Sequence, residues 1–278
     1  TWNVENFGTN SRDSKGKLKP RFKTKVLDIT NTIKKHDPDV FAIFEVRSTD
    51  VFYEFMNHFT GYTFQITEGP QTQETLLGVK GKFTSFITQR LEFKTGNSVL
   101  RPGVLLTLII DNIHYTMLFV HFKSSNEPSG WGLRDQMFDK MRSLKKAINA
   151  MAGSPEMANF IAAGDFNTMG MNYTYGNYDI SAEEEIERMQ KMVQGYNYDM
   201  KLLTKTHDYT YYNGGTTGLT GNLDQVFAAK HLEFNLFDNK EVKVSGLTDF
   251  KFGSDQQKEW IESHSDHAIL YFEVIKIN

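Results

Sequence analysis

Residues 160–167 read Phe160-Ile161-Ala162-Ala163-Gly164-Asp165-Phe166-Asn167. The apolar run is a short strand that ends on a glycine, and an acid and an amide follow at once. Upstream, Leu133, Met137, Met141, Leu144, Ile148 and Met151 recur at helical spacing, and Gly153-Ser154-Pro155 stops that helix. Downstream, Ser181 with Glu184 forms a capping box that opens a helix closed by Gly195. A strand between two helices, with polar residues at its end, sets the pattern for the rest of the chain.

The same alternation extends in both directions, without strict periodicity. Arg21–His36 carries Phe22, Val26, Ile29 and Ile33 as an amphipathic stripe, and Asp37-Pro38 ends it. Val40–Val46 reads as a buried strand and Asp50–Phe59 as a short helix. Strand patterns then crowd together at Tyr62–Ile66, Thr75–Val79, Phe83–Thr88, Val104–Ile110 and Ile113–Val120, the last two joined by the hairpin turn Asp111-Asn112. Tyr209–Tyr212, Leu223–Ala229 and Ala268–Ile275 finish as strands. Several strand-to-strand connections argue for one mixed α/β domain over residues 1–278, not a strictly wound parallel sheet.

The chain has 278 residues, no cysteine, and 31 Lys+Arg against 34 Asp+Glu. Length permits a large core without staples. Absent cysteine excludes a disulfide scaffold, a thiolate zinc site and a cysteine nucleophile. A net charge of -3 excludes binding by bulk positive charge but not a local basic groove or an acidic cation site. No apolar run is long enough to span a bilayer, so a soluble protein is expected. The chain opens at Thr1 into strand-like sequence with no signal peptide, which leaves secreted and cytoplasmic locations equally open.

Polar residues gather at strand ends. Asn3 and Glu5 follow the first strand-like residues, Glu45 ends Val40–Val46, and His121 terminates a long apolar strand. Asp165 and Asn167 follow Phe160–Ala163, Asp224 lies in Asn222-Leu223-Asp224-Gln225-Val226 at the start of Leu223–Ala229, and Asp266-His267 precedes the final strand. A rigid sheet presenting carboxylates, amides and imidazoles to its loops is where α/β folds place chemistry. Oxygen-rich ligand sets suit magnesium, calcium or manganese.

In this order, from Trp2-Asn3-Val4-Glu5-Asn6 through Gly164-Asp165-Phe166-Asn167 to Ser265-Asp266-His267, the chain resembles the endonuclease/exonuclease/phosphatase superfamily, most closely its deoxyribonuclease I-like nucleases. The resemblance implies a four-layer α/β (α+β) sandwich, two packed mixed β-sheets flanked by helices. It implies a divalent-metal-dependent phosphodiesterase, a DNA endonuclease of low sequence specificity, with Mg2+ or Mn2+ as cofactor and Ca2+ as an auxiliary ion. A monomer acting on nucleic acid is expected.

Carried over residue by residue, the resemblance makes Glu45 the metal ligand, with Asn3, Glu5 and Asp266 around it. Asp165 and His267 are the candidates to activate water, and Asn167 binds a phosphate oxygen or steadies that water. Asp224 orients His267, and Glu74 orients His121, giving two carboxylate–imidazole pairs. Arg47 reaches toward a nucleic-acid groove and Arg101 toward a phosphate. Phe44 departs from the glutamine often found before the glutamate, and the secreted animal enzyme's disulfides have no counterpart.

Other substrates remain open: a phospholipid or inositol phosphate on the same fold, or a binding module that has lost catalysis. Leu223-Asp224-Gln225 departs from the Cys-Asp-Arg of inositol phosphatases, and Thr220-Gly221-Asn222 from the Gly-Trp-Arg of apurinic-site enzymes. Lys123, Arg134 and Lys145 read as solvated. Glu183-Glu184-Glu185 reads as complementing its helix N-terminus. Tyr173, Tyr175 and Tyr178 read as loop packing or as a stacking surface for bases or a sugar.

Overall fold

The strand Val40–Val46 buries apolar side chains on both of its faces. In the computed structural model, which describes residues 1–153, 158–215 and 218–275, Phe41 and Ile43 pack with Val26, Ile29 and Phe55 of two covering helices. Ala42 and Phe44 face the other way and meet Val104, Leu106 and Phe119. A strand with apolar neighbours on both sides belongs inside a layered sandwich.

That sandwich has two mixed sheets. β1 (Trp2–Phe7), β2 (Val40–Val46), β3 (Tyr62–Ile66) and β4 (Glu74–Lys80) form the first, in the order β1-β2-β4-β3. The second is built from β5 (Thr84–Arg90), β6 (Gly103–Ile110), β7 (Ile113–His121), β8 (Asn159–Asp165) and β9 (Met200–Leu202). Two short hairpin strands follow, β10 (Tyr211–Tyr212) and β11 (Thr220–Gly221), before β12 (Asp224–Ala229) enters the second sheet between β8 and β9. β13 (Lys243–Ser245) and β14 (Ile269–Tyr271) pair with each other. They continue the first sheet past β1, because the Thr1 nitrogen donates to the Leu270 carbonyl at 2.8 Å and Leu270 N–H returns a bond to Thr1 at 3.0 Å.

Helices α1 (Pro20–His36) and α2 (Thr49–His58) cover the first sheet. α3 (Pro128–Ala152) and α4 (Ala182–Val193) cover the second, where Met137, Phe138, Met141 and Met189 meet Phe160, Ala162 and Phe227. α5 (Asp255–Ser263) lays Trp260 on Trp2, ring centroids 5.7 Å apart. The four layers expected from the resemblance are present.

The local rules are visible. Phe22, Val26, Ile29 and Ile33 are all buried, and Asp37 ends α1 in the left-handed region at φ 42°. Asp111 and Asn112 have φ of 51° and 64°, the primed turn that matches the twist of β6 and β7. Ser181 and Glu184 make both bonds of the capping box. Gly153 caps α3, while Ser154 and Pro155 of its stop signal lie outside the described residues. The expected strand over Ala268–Ile275 shrinks to Ile269–Tyr271, and Tyr209–Tyr212 to Tyr211–Tyr212.

Candidate active site

Register places the chemistry. His121 pairs with Asp165 across the parallel β7–β8 ladder, and Asp165 pairs with Asp224 across the antiparallel β8–β12 ladder. The three stand abreast at one end of the second sheet. Alternation sends Leu118, Val120, Phe160, Ala162 and Phe227 toward the helices. It therefore turns Phe119 with His121, Ala163 with Asp165, and Val226 with Asp224 toward the first sheet. Gly164 makes the approach possible: at its φ of 143° an added Cβ would lie 2.1 Å from the Val120 carbonyl.

From the opposite sheet, β1 sends Trp2 and Val4 into the helix-side core and Asn3 inward. Asn3 Nδ2 donates to Asp165 Oδ2 at 2.9 Å and to Glu45 Oε1 at 3.3 Å, which ties the two sheets together. Glu45 should follow Phe41 and Ile43 toward the helices. A bulge between Ile43 and Val46 in the β2–β4 ladder, with Glu45 at φ 61°, re-aims it toward the site. Its Oε2 accepts Asn6 N–H at 3.0 Å, and its Oε1 stands 3.8 Å from His121 Nε2.

Two clusters result. In one, His267 Nδ1 and Asp224 Oδ2 are hydrogen-bonded at 2.9 Å, and Asp165 accepts Asn167 N–H at 2.8 Å. Burial alone would lower the His267 pKa, but Asp224, with Asp165 and Asp266, carries it up to about 10. Burial and the Asp224 charge push the Asp165 carboxyl up to about 7. His121, 3.5 Å from Asp165, goes the other way: burial, Arg101 and His267 hold it well below the usual imidazole range. Ligand atoms of Asp165, Asp224 and His267 all lie within 4.8 Å of one another, a spacing that could hold a metal ion.

The second cluster is all oxygen. Burial raises the Asp266 carboxyl to about 6, and Glu5 and Glu45 add like charge while His267 opposes them. Asn3 Oδ1 is buried with no partner among the described residues. Carboxylates near enough to perturb one another, beside an orphaned amide oxygen, suit a hard divalent cation.

Arg101 is buried near Asp165 and Glu45; its Nη2 donates to the Phe122 carbonyl and its Nε has no partner among the described residues. Asn167 Nδ2 donates to the same carbonyl at 3.2 Å. Arg47 is exposed, and its guanidinium donates to Thr72 Oγ1 at 3.4 Å.

Glu74 departs from expectation. Its carboxylate accepts from Thr67 Oγ1 and Gln71 Nε2, both at 2.6 Å, and it makes no bond to His121. The short 67–74 connection claims it, and His121 faces Asp165 and Glu45 instead. Arg134 and Lys145 are fully buried, not solvated. Arg134 grips Glu185 through Nε at 2.8 Å and Nη2 at 3.0 Å, and it also holds the carbonyls of Gly170 and Ser125. Glu185 is thus a buried partner as well as one of the three acids in the first turn of α4. Lys145 donates to Asn149 and Ala158. Tyr211, which the sequence places in the strand Tyr209–Tyr212 as an ordinary hairpin residue first and a substrate wall second, has its ring 5.1 Å from that of His267.

Solved structures share this architecture. A humanized TDP2 from D. rerio superposes with a TM-score of 0.65 at 15% identity, covering 99% of this chain and 97% of the other. A mannosyl-6-phosphatase from Bacteroides thetaiotaomicron gives 0.61 at 11% identity, with 99% and 98% covered. The catalytic domain of human Nocturnin gives 0.57 at 14% identity, with 91% and 87% covered. Among curated proteins nothing matches. Fold and site together define a phosphoesterase architecture, one that hydrolyses phosphoester bonds and generally uses divalent metals. More narrowly, residues 1–235 match the Endonuclease/Exonuclease/phosphatase family, and the chain belongs to it.

Proposed function

We propose that the protein is a divalent-metal-dependent phosphodiesterase whose substrate is DNA, cleaved internally with little sequence preference. The observation that carries the reading is the meeting of Asp165, a charged His267–Asp224 pair and buried Arg101 opposite Asn3 and Glu45. Phosphodiester hydrolysis needs an activated water, neutralised phosphoryl oxygens and help for the leaving group.

The charge states support a division of these roles. His267 holds its proton up to about pH 10 and therefore serves as a donor to a phosphoryl oxygen, not as a base. Asp165, with its carboxyl near 7, is matched to accepting a proton from water, and Asn167 orients that water or a phosphoryl oxygen. Asn3, Glu45, Glu5 and Asp266 would hold Mg2+ or Mn2+, which supplies electrostatic stabilisation of developing charge when bound. His121, neutral and buried, pads the space between Asp165 and Glu45. DNA is favoured by exposed Arg47 and half-buried Lys123 around the buried Arg101, and by exposed Tyr175 and Tyr178. A D. rerio TDP2 of this fold is known complexed with a single-strand DNA product. A phosphatase with this fold keeps a second reading alive, hydrolysis of a phospholipid, inositol phosphate or sugar phosphate.

Plasmid nicking separates the readings. Supercoiled DNA should become open circles with magnesium or manganese, and chelation, Asp165→Ala or His267→Ala should abolish this. Inert DNA with turnover of sphingomyelin, an inositol phosphate or a sugar phosphate would transfer the assignment to the second reading. Inertness toward all phosphoesters would refute both.

A further inference from the structure

The Asp224–His267 pair is flanked by a segment that contains neither residue. Lys205 directs its ammonium inward, to the Asp224 carbonyl at 2.6 Å, to Gln225 Oε1 at 2.9 Å and to Asn222 Oδ1. Three acceptors match the three hydrogens of an ammonium. Burial draws that amine down to about 7, while the charges of Asp224 and Asp208 favour its protonated form. Five residues on, fully buried Thr210 takes up the N-terminal side of the same residue: its Oγ1 accepts Leu223 N–H at 3.0 Å and Asp224 N–H at 2.9 Å.

The same segment grips the histidine strand. Thr210 O accepts Ala268 N–H at 2.7 Å, and Tyr212 N–H donates to the Asp266 carbonyl at 2.9 Å. Asp224 and His267 are 43 residues apart, and residues 205–212 bond to the backbone on both sides of the pair.

We infer that Lys205 and Thr210 are positioning residues: they clamp the Asp224 peptide against the Asp266–Ala268 backbone and so fix the Asp224–His267 hydrogen bond that the phosphodiesterase reading requires. Neither residue touches substrate. Both act through carboxylate placement, and a misplacement of about 1 Å in such a constellation costs about a hundredfold in rate.

The test compares Lys205→Met, Thr210→Val and Thr210→Ser in the full chain. Lys205→Met and Thr210→Val should lower kcat on a small phosphodiester by about tenfold to hundredfold with KM within about twofold, and Thr210→Ser, which keeps the acceptor oxygen, should recover most of the loss. The free protein gives a second readout: the far-downfield proton resonance of His267 Nδ1–H should shift or broaden in Lys205→Met and Thr210→Val but not in Thr210→Ser. An unchanged resonance, a loss confined to KM, or equal damage from Val and Ser at 210 would overturn the inference. Because the resonance needs no substrate, a wild-type chain inert on all phosphoesters would sink the proposed function without deciding this one.

Discussion

The substitution Asp224→Asn keeps the side chain's shape and removes its charge. In the wild type, His267 moves from an ordinary 6.5 up to about 10 against the pull of burial, and Asp224 is the leading reason. That rise corresponds to roughly 5 kcal/mol of preference for imidazolium, at 1.36 kcal/mol per tenfold. Without the Asp224 carboxylate, only Asp165 and Asp266 remain to oppose burial of a ring 6% exposed, so the His267 pKa should fall far below its wild-type value. An Asn amide facing Nδ1 also selects the tautomer with Nδ1 as acceptor. The analogous change in a hydrolase triad costs about 10⁴ in turnover, and a loss of about 10³ to 10⁴ in kcat is expected here. The stability of the wild-type pair should be complete below pH 6.5 and fade as pH rises through about 10, a falling limb that Asp224→Asn should lack. NMR titration of the His267 ring nitrogens, alongside turnover of a small phosphodiester, measures both effects. If His267 still titrates near 10 in the variant, or turnover falls less than about tenfold, the charge-pair reasoning is wrong.

Four further outcomes are expected. Arg134→Met strands Glu185 in the core and should cost about 3–5 kcal/mol; at about 2.1 cal/mol/K per residue this lowers Tm by roughly 5–9 °C, read by calorimetry. Gly164→Ala should lose about 3 kcal/mol or more and much of the activity, since Asp165 must move with its strand. Arg101→Ala should weaken DNA cleavage more than hydrolysis of a small phosphodiester; equal losses would argue against a role on the substrate backbone. Asp165 and Asp266 titrate above their unfolded values, near 7 and 6, so their contribution is full below about pH 4 and lost as pH rises through 6–7. Magnesium should therefore raise Tm more at pH 8 than at pH 5, and an equal gain would count against carboxylate ligation.

Much of this was legible because it is local. The α1 stripe, the Asp111-Asn112 turn and the Ser181–Glu184 cap each depend on residues within a few positions, and each formed as read. The strand-end polar residues were visible because long apolar runs point to where a sheet stops. What escaped is non-local or too short to be periodic. β9 and β13 have three residues each and leave no pattern. Arg134 and Lys145 looked like solvated helix charges because their partners, Glu185 and the Ala158 carbonyl, come from other elements. Lys205 and Thr210 belong to no motif, and their partners lie at Asn222–Gln225. Glu74 was placed with His121 by resemblance, yet Thr67 and Gln71 stand nearer in sequence and space.

The abreast arrangement of His121, Asp165 and Asp224 limits how such a chain can change. Their mutual spacing is the separation of neighbouring strands, about 4.8 Å, and no loop can adjust it. Deleting or inserting a single residue within β7, β8 or β12 would swing that strand's functional group to the helix-facing side and bring an apolar one into the mouth. Side chains along these three strands can drift in identity while length stays frozen, so growth and shrinkage are confined to connections such as residues 171–180, which a Met171–Ile180 bridge closes at its base.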